Sequence, residues 1–185
     1  MDDLMSRLDQ ISARLSEKAF LANKGLSNEV GIHVFCYDPK DELTVRAHFE
    51  KLKAAADAPY RLIEQDLYAI LLQICEEKHI LNSIPAMEER RGKAYLAEQL
   101  QKVATPEAFV ERMRYAPHEK GDVLLITGVG KVYPFMRSHK ILDNLQHIFS
   151  DIPVLMLYPG TFNGQDLDLF GKFLDGHYYR AFELI

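Results

Sequence analysis

Cysteine is scarce in this chain: two residues in 185, Cys36 and Cys75. Both sit inside apolar runs, Ile32-His33-Val34-Phe35-Cys36-Tyr37 and Tyr68-Ala69-Ile70-Leu71-Leu72-Gln73-Ile74-Cys75, where buried free thiols are common. That excludes a disulfide-stapled secreted scaffold. Long apolar runs are missing as well, and none approaches the ~18 residues that a membrane-spanning helix needs. The N-terminus, Met1-Asp2-Asp3-Leu4-Met5-Ser6-Arg7-Leu8, is acidic and patterned like a helix. It has neither the basic n-region nor the apolar h-region of a secretory signal. A cytoplasmic protein with reduced thiols, and with no membrane as partner, is the expectation.

Chemistry-bearing patterns are equally thin. Seven histidines (His33, His48, His79, His118, His139, His147 and His177) are scattered without an HxxxH spacing, and there is no CxxC. No metal-ligand set results. His33, inside an apolar run, reads as a hydrogen-bonded core residue. Ser138-His139 is not a nucleophile and base, because adjacent residues on a helix point in different directions and no nucleophile elbow surrounds Ser138. No catalytic residue, metal or cofactor is therefore assigned. The formal charge is -5, and there is no basic tract or helix-turn-helix pattern, which argues against direct DNA binding.

What is present is an ordinary globular composition, 48% hydrophobic and 26% charged, which is incompatible with disorder over most of the length. There is no repeat, low-complexity tract or linker, so residues 1–185 read as one domain. Leu4, Leu8, Ile11 and Leu15 fall at helical spacing, with Asp2 or Asp3 placed as a cap. This helix is expected to end near Asn23-Lys24-Gly25, with Gly25 left-handed. Val30–Tyr37 reads as a strand, stopped by Asp38-Pro39. A helix follows with Val45, Phe49, Leu52 and Ala56 on one face, ended by Ala58-Pro59. Tyr60–Glu64 is a second strand, and Asp66 caps a largely buried helix carrying Leu67, Ile70, Leu71 and Ile74, with Tyr68, Leu72 and Cys75 widening its stripe.

Two more polar helical stretches run from Asn82 to Gly92 and from Lys93 to Ala104. Thr105-Pro106 then gives an N-cap followed by proline at the first helical position. Asp122–Ile126 is a continuous apolar strand of the kind buried on both faces. A glycine turn, a helix over about 135–149, a strand over 153–158, a loop over Pro159–Gly164 and a last strand over 178–185 complete the reading. Strands alternating with helices predict an α/β fold: a mostly parallel central sheet with helices on both faces, plus a helical insertion or lid around 82–116.

The most suggestive stretch is Thr127-Gly128-Val129-Gly130-Lys131-Val132-Tyr133-Pro134, which leaves a strand and enters a helix. Backbone amides at such a turn can cradle an anion, and Gly128, Gly130, Lys131 and Arg137 are the candidate anion-binding residues. The match to a phosphate loop is partial. Leu125 stands where a Walker A motif has its first glycine, Val132 where it has the magnesium-binding hydroxyl, and Tyr133 where GxGxxG has its third glycine. A tight structural turn explains the same glycines. Pro159–Gln165 is expected beside this turn, at the carboxyl edge of the sheet where open α/β folds bind ligands. There Tyr133, Phe162, Asn163 and Tyr178 are candidate partner-binding residues, with exposed aromatics as anchors.

Four ordered stretches carry a family resemblance: Lys24–Val30, Leu125–His139, Tyr158–Gln165 and Tyr178–Phe182. Together they resemble the BrxB family, small components of the BREX bacteriophage-defence systems, over nearly the whole chain. The resemblance implies a bacterial or archaeal protein working beside an ATPase, a DNA methyltransferase and an alkaline-phosphatase-like protein. It supplies no catalytic residues. It implies a non-enzymatic adaptor or assembly component that docks another component such as the phosphatase-like protein or the ATPase. The alternative is a degenerate P-loop-like domain that binds nucleotide or phosphate without hydrolysis.

Overall fold

The computed structural model describes residues 2–23, 31–145, 148–174 and 181–185. Strand β3 (Asp122–Thr127) is buried at every position, as a run without a polar face requires. It lies inside a parallel sheet with β1 (Ile32–Tyr37), β2 (Arg61–Asp66), β4 (Val154–Phe162) and β7 (Ala181–Glu183), in the order β2-β3-β4-β1-β7. All four ladders between these strands are parallel. Two short strands, β5 (Leu167–Leu169) and β6 (Phe173–Leu174), continue from the end of β4 as antiparallel ribbons.

Because side chains alternate along a strand, the sheet feeds two cores. Ile32, Val34, Cys36, Leu124, Ile126, Val154, Met156 and Tyr158 point to one face. Phe35, Tyr37, Val123, Leu125, Leu155 and Leu157 point to the other. The second face is closed by α1 (Asp2–Leu15), α2 (Lys18–Leu21) and α3 (Glu42–Lys53) through Leu8, Ile11, Leu15, Phe20, Val45 and Phe49. The first is closed by α4 (Leu67–Glu77), α6 (Lys93–Val103), α7 (Pro106–Met113), α8 (Val129–Val132) and α9 (Ser138–Leu145), with α5 (Ile84–Arg91) at the margin. The fold is the expected α/β sandwich. Residues 82–116 form α5 to α7, and Leu96, Leu100, Phe109, Val110 and Met113 bury into the first core, so the stretch is a packed part of the β2-to-β3 crossover rather than a lid.

Local signals explain most boundaries. Asp66 accepts from the Tyr68 and Ala69 amides at 2.8 and 3.2 Å, fixing the start of α4. Thr105 Oγ1 accepts from the Ala108 amide at 3.2 Å with Pro106 behind it, fixing α7. Other expectations are corrected. Helix α1 stops at Leu15, not near Asn23, because the Ser16 hydroxyl turns back to the Ser12 carbonyl at 2.7 Å and Glu17 is extended. Asn23 is itself left-handed, with φ 47°, and Gly25 lies outside the described residues.

Helix α3 ends at Lys53, leaving Ala56 exposed beyond it. Tyr68 is exposed on α4 rather than part of its buried stripe. The helix expected over 135–149 is shorter, α9 at Ser138–Leu145, and the expected glycine turn instead carries the short α8; Tyr133–Arg137 separates the two around Pro134, which cannot continue a helix. Pro159–Phe162 is not a loop but the end of β4. Gly160 permits it, because a Cβ there would stand 2.1 Å from the Asp168 carbonyl oxygen of the neighbouring strand.

Candidate functional site at the carboxyl edge of the sheet

The carboxyl ends of β3 and β4 are joined over their outer rim by α8 and the β5–β6 ribbon. Gly128 turns the chain out of β3 in the left-handed region, φ 75°, and a Cβ on it would lie 2.3 Å from Asp66 Oδ1. Gly130 lies against the ribbon, where a Cβ would meet the Phe170 ring at 2.9 Å and the Pro159 ring at 3.0 Å. Both glycines therefore have packing reasons: one lets the turn approach the cap of α4, the other seats the ribbon on α8. The Gly128 turn and the Pro159 segment do meet at one edge, as the sequence predicts.

Lys131 is exposed, and Arg137 is half-buried beside buried Ser138. Val129, Tyr133, Met136, Arg137, Ser138, Tyr158, Leu169 and Phe173 line a cleft there, and its enclosed part has room for roughly one water molecule. The four residues marked as an anion cradle are thus only partly convergent. Lys131 and Arg137 border the same edge, but the carboxylate of Asp66 stands against Gly128.

The aromatic anchors sit differently from expectation. Tyr133 and Phe162 are half-buried and packed on the first core, not free at the surface. Asn163 is exposed but works as a turn residue, its Oδ1 accepting from the Gln165 and Asp166 amides at 2.9 and 2.7 Å. Tyr178 lies outside the described residues. Among the described residues, the ribbon at this edge exposes the apolar side chains of Phe173, 41% exposed, and Leu174, 63% exposed. Phe173 stands beside Tyr133, ring centroids 4.9 Å apart, and meets Phe170 edge-on at 6.5 Å. The signal for them was the alternation in Leu167-Asp168-Leu169 and the Phe170-Gly171 turn, too short to stand out from a loop.

Burial shapes the titration of groups in both cores. Burial first, with Glu183 nearby, pushes the Cys36 thiol up to about 12, and burial raises Cys75 too, so both stay protonated at neutral pH. His33 is not the hydrogen-bonded residue expected. Its ring packs between Phe20 and Phe182, centroids 4.8 and 6.0 Å away, and Nδ1 has no partner. Burial, with Arg14 adding to it, lowers its pKa to about 4.

At the opposite end of the sheet the side chain of Asp122 is buried. It accepts from Arg61 Nε at 2.7 Å and Nη2 at 3.0 Å, from the Tyr115 hydroxyl at 3.0 Å and from the Glu119 amide at 2.9 Å. Burial acts to raise its carboxyl, but these donors together hold it below the usual range. The network ties β2 to β3 and stands away from the cleft. Among the described residues no three His, Cys, Asp or Glu side chains group as metal ligands, and no helix is long and apolar enough to cross a membrane.

Comparison with known proteins assigns the chain. The family described as "BREX protein BrxB" matches residues 63–184. A protein named BREX protein BrxB from Bacillus cereus (strain H3081.97) is 38% identical over 192 residues, covering 100% of this chain and 99% of that protein. Another of the same name from Escherichia coli O9:H4 (strain HS) is 30% identical over 183 residues, covering 97% of this chain and 90% of its own length. No solved structure matches. The family match spans β2 to β7, and the chain belongs to the BrxB family of BREX proteins.

Proposed function

We propose that this protein is a non-enzymatic, cytoplasmic adaptor of a BREX phage-defence complex. It holds another component, such as the alkaline-phosphatase-like protein or the ATPase, at the carboxyl edge of its sheet. The observation that carries this reading is the exposure of Phe173 and Leu174 on a ribbon that extends β4 beyond the core. Large apolar side chains left open on a rigid element are the usual anchors of a protein interface. Family membership supports it, because the relatives are named as proteins of a BREX system. The enclosed part of the cleft beside the ribbon has room for roughly one water, so it offers a phosphate little enclosure, and the geometry favours a protein partner over the phosphate-binding alternative.

The test is co-purification with each of the other BREX components, using wild type, Phe173→Ala, Tyr133→Ala and Phe162→Ala, each checked for folding by thermal melting. The expected result is retention of one component by the wild type and its loss from Phe173→Ala at unchanged melting temperature. Retention of no component by the wild type overturns the adaptor reading. In that case binding of phosphate at Lys131 and Arg137 becomes the function to measure.

A further inference from the structure

Two lysines flank the exposed aromatic at the edge. Lys131 lies two residues from Tyr133, and Lys172 is next to Phe173 in the turn between β5 and β6. Packing of Phe170 and Pro159 against Gly130 brings α8 and the ribbon together, so the segments that carry both lysines meet at the Tyr133–Phe173 pair. Both are exposed, and neither joins the ion pairs that engage Lys40, Lys53 and Lys102 elsewhere. The nearby Asp168 does not neutralise them across this surface. In the β5–β6 ladder Leu169 pairs with Phe173 on the cleft side, whereas Asp168 pairs with Leu174 on the other face. In a chain of charge -5, two exposed lysines beside an apolar centre set this patch apart.

We propose that this patch docks an acidic segment of a protein partner, an apolar or aromatic side chain settling beside Phe173 while carboxylates meet Lys131 and Lys172. The inference rests on the adaptor reading and adds the chemistry of the partner. Two other occupants fit less well. A second copy of the same patch across a two-fold axis would set lysines against lysines. A nucleic acid would need free aromatic faces and a longer basic track. Here the two rings pack on each other, and the chain as a whole repels a phosphate backbone.

The probes are short fluorescent peptides: one of Asp and Glu residues around a central Phe, one with Ala replacing that Phe, and one with Lys replacing every acid, with a short oligo-dT as the nucleic-acid arm. Fluorescence anisotropy at low salt should show binding of the acidic Phe peptide only. Binding should weaken about tenfold or more in the double variant Lys131→Glu/Lys172→Glu, and again at about 0.5 M salt. Phe173→Ala should weaken it as much as the Phe-to-Ala change in the peptide does. Equal binding of the lysine peptide, no binding of the acidic one, indifference to the charge reversal, or tighter binding of oligo-dT each overturns the inference, the last in favour of nucleic acid. Co-purification separates it from its parent reading. If the wild type retains a BREX component and the charge reversal leaves that retention intact, the acidic-partner inference fails while the adaptor reading stands. If the wild type retains nothing, the adaptor reading itself fails.

Discussion

Mild acid should destabilise this protein through His33. The ring is wedged between Phe20 and Phe182, lacks a partner for Nδ1 and has Arg14 nearby, so the neutral form is strongly preferred in the folded state, with a pKa of about 4 against 6.5 for a free imidazole. The sign follows from linkage. Above pH 6.5 both folded and unfolded chains carry a neutral ring and nothing is lost. As pH falls below that value the unfolded chain takes up a proton that the folded chain refuses, and the loss grows until pH reaches the folded-state pKa. A depression of that size corresponds to about 2 kcal/mol lost between pH 7 and pH 5, and about 3 kcal/mol by pH 4.

His33 is only half-buried, so solvent screening reduces the first figure to about 1–2 kcal/mol. For a domain of this size that is a fall in Tm of roughly 2–8 °C. The comparison is with His33→Phe, which keeps an aromatic ring between Phe20 and Phe182 and cannot titrate. Melting both proteins at pH 7 and pH 5 cancels the other ionisable groups, including His48, whose pKa burial also lowers. The variant should gain on the wild type as pH falls. A difference in Tm between the two that stays constant from pH 7 to pH 5 refutes the reasoning.

Three further substitutions test other parts of the structure. Asp122→Ala strips the Tyr115 hydroxyl, the Glu119 amide and one side of Arg61 of their acceptor, and should cost about 2–3 kcal/mol in urea unfolding, less than a fully buried pair because Arg61 is half exposed. Gly128→Ala puts a Cβ onto Asp66 Oδ1 at a φ of 75°. It should cost about 2–3 kcal/mol, strain and a disturbed α4 cap contributing together, visible as a lower Tm. Thr105→Ala removes the acceptor for the Ala108 amide and should cost about 1 kcal/mol by the same measurement.

The frame of the fold was legible because burial writes itself into sequence where it is complete. Asp122–Thr127 and Val154–Tyr158 are sealed on both faces, so their apolar runs are unbroken and their identity as central strands is plain. Caps at Asp66 and Thr105 were legible for a similar reason: one side chain and its next few amides decide them locally. What was illegible depends on contacts distant in sequence. Pro159-Gly160 reads as a turn by composition, and only the ribbon of β5 lying against it, too short to carry a pattern, makes it strand. Tyr133 and Phe162 read as exposed because they stand in segments that look like turns at the sheet edge, yet both lie on the first core, and Phe173 takes the outer position. The sequence therefore points to this edge of the sheet but not to Phe173, the aromatic that is exposed there.

The sheet order also sets a timetable for synthesis. Strand β1 emerges early, but its two neighbours are β4 and β7, so Ile32 waits for Val154 on one side and Ala181 on the other. At about 5–20 residues per second, Ile-His-Val-Phe-Cys-Tyr spends on the order of ten seconds as an apolar segment with neither edge paired. The α1 helix, made just before it, carries the Arg7 guanidinium that ends up on the Cys36 carbonyl and over the Phe35 ring. The earliest shelter available to β1 on the ribosome is thus its own upstream helix, and the sheet can close around it only once the β4 segment has left the tunnel.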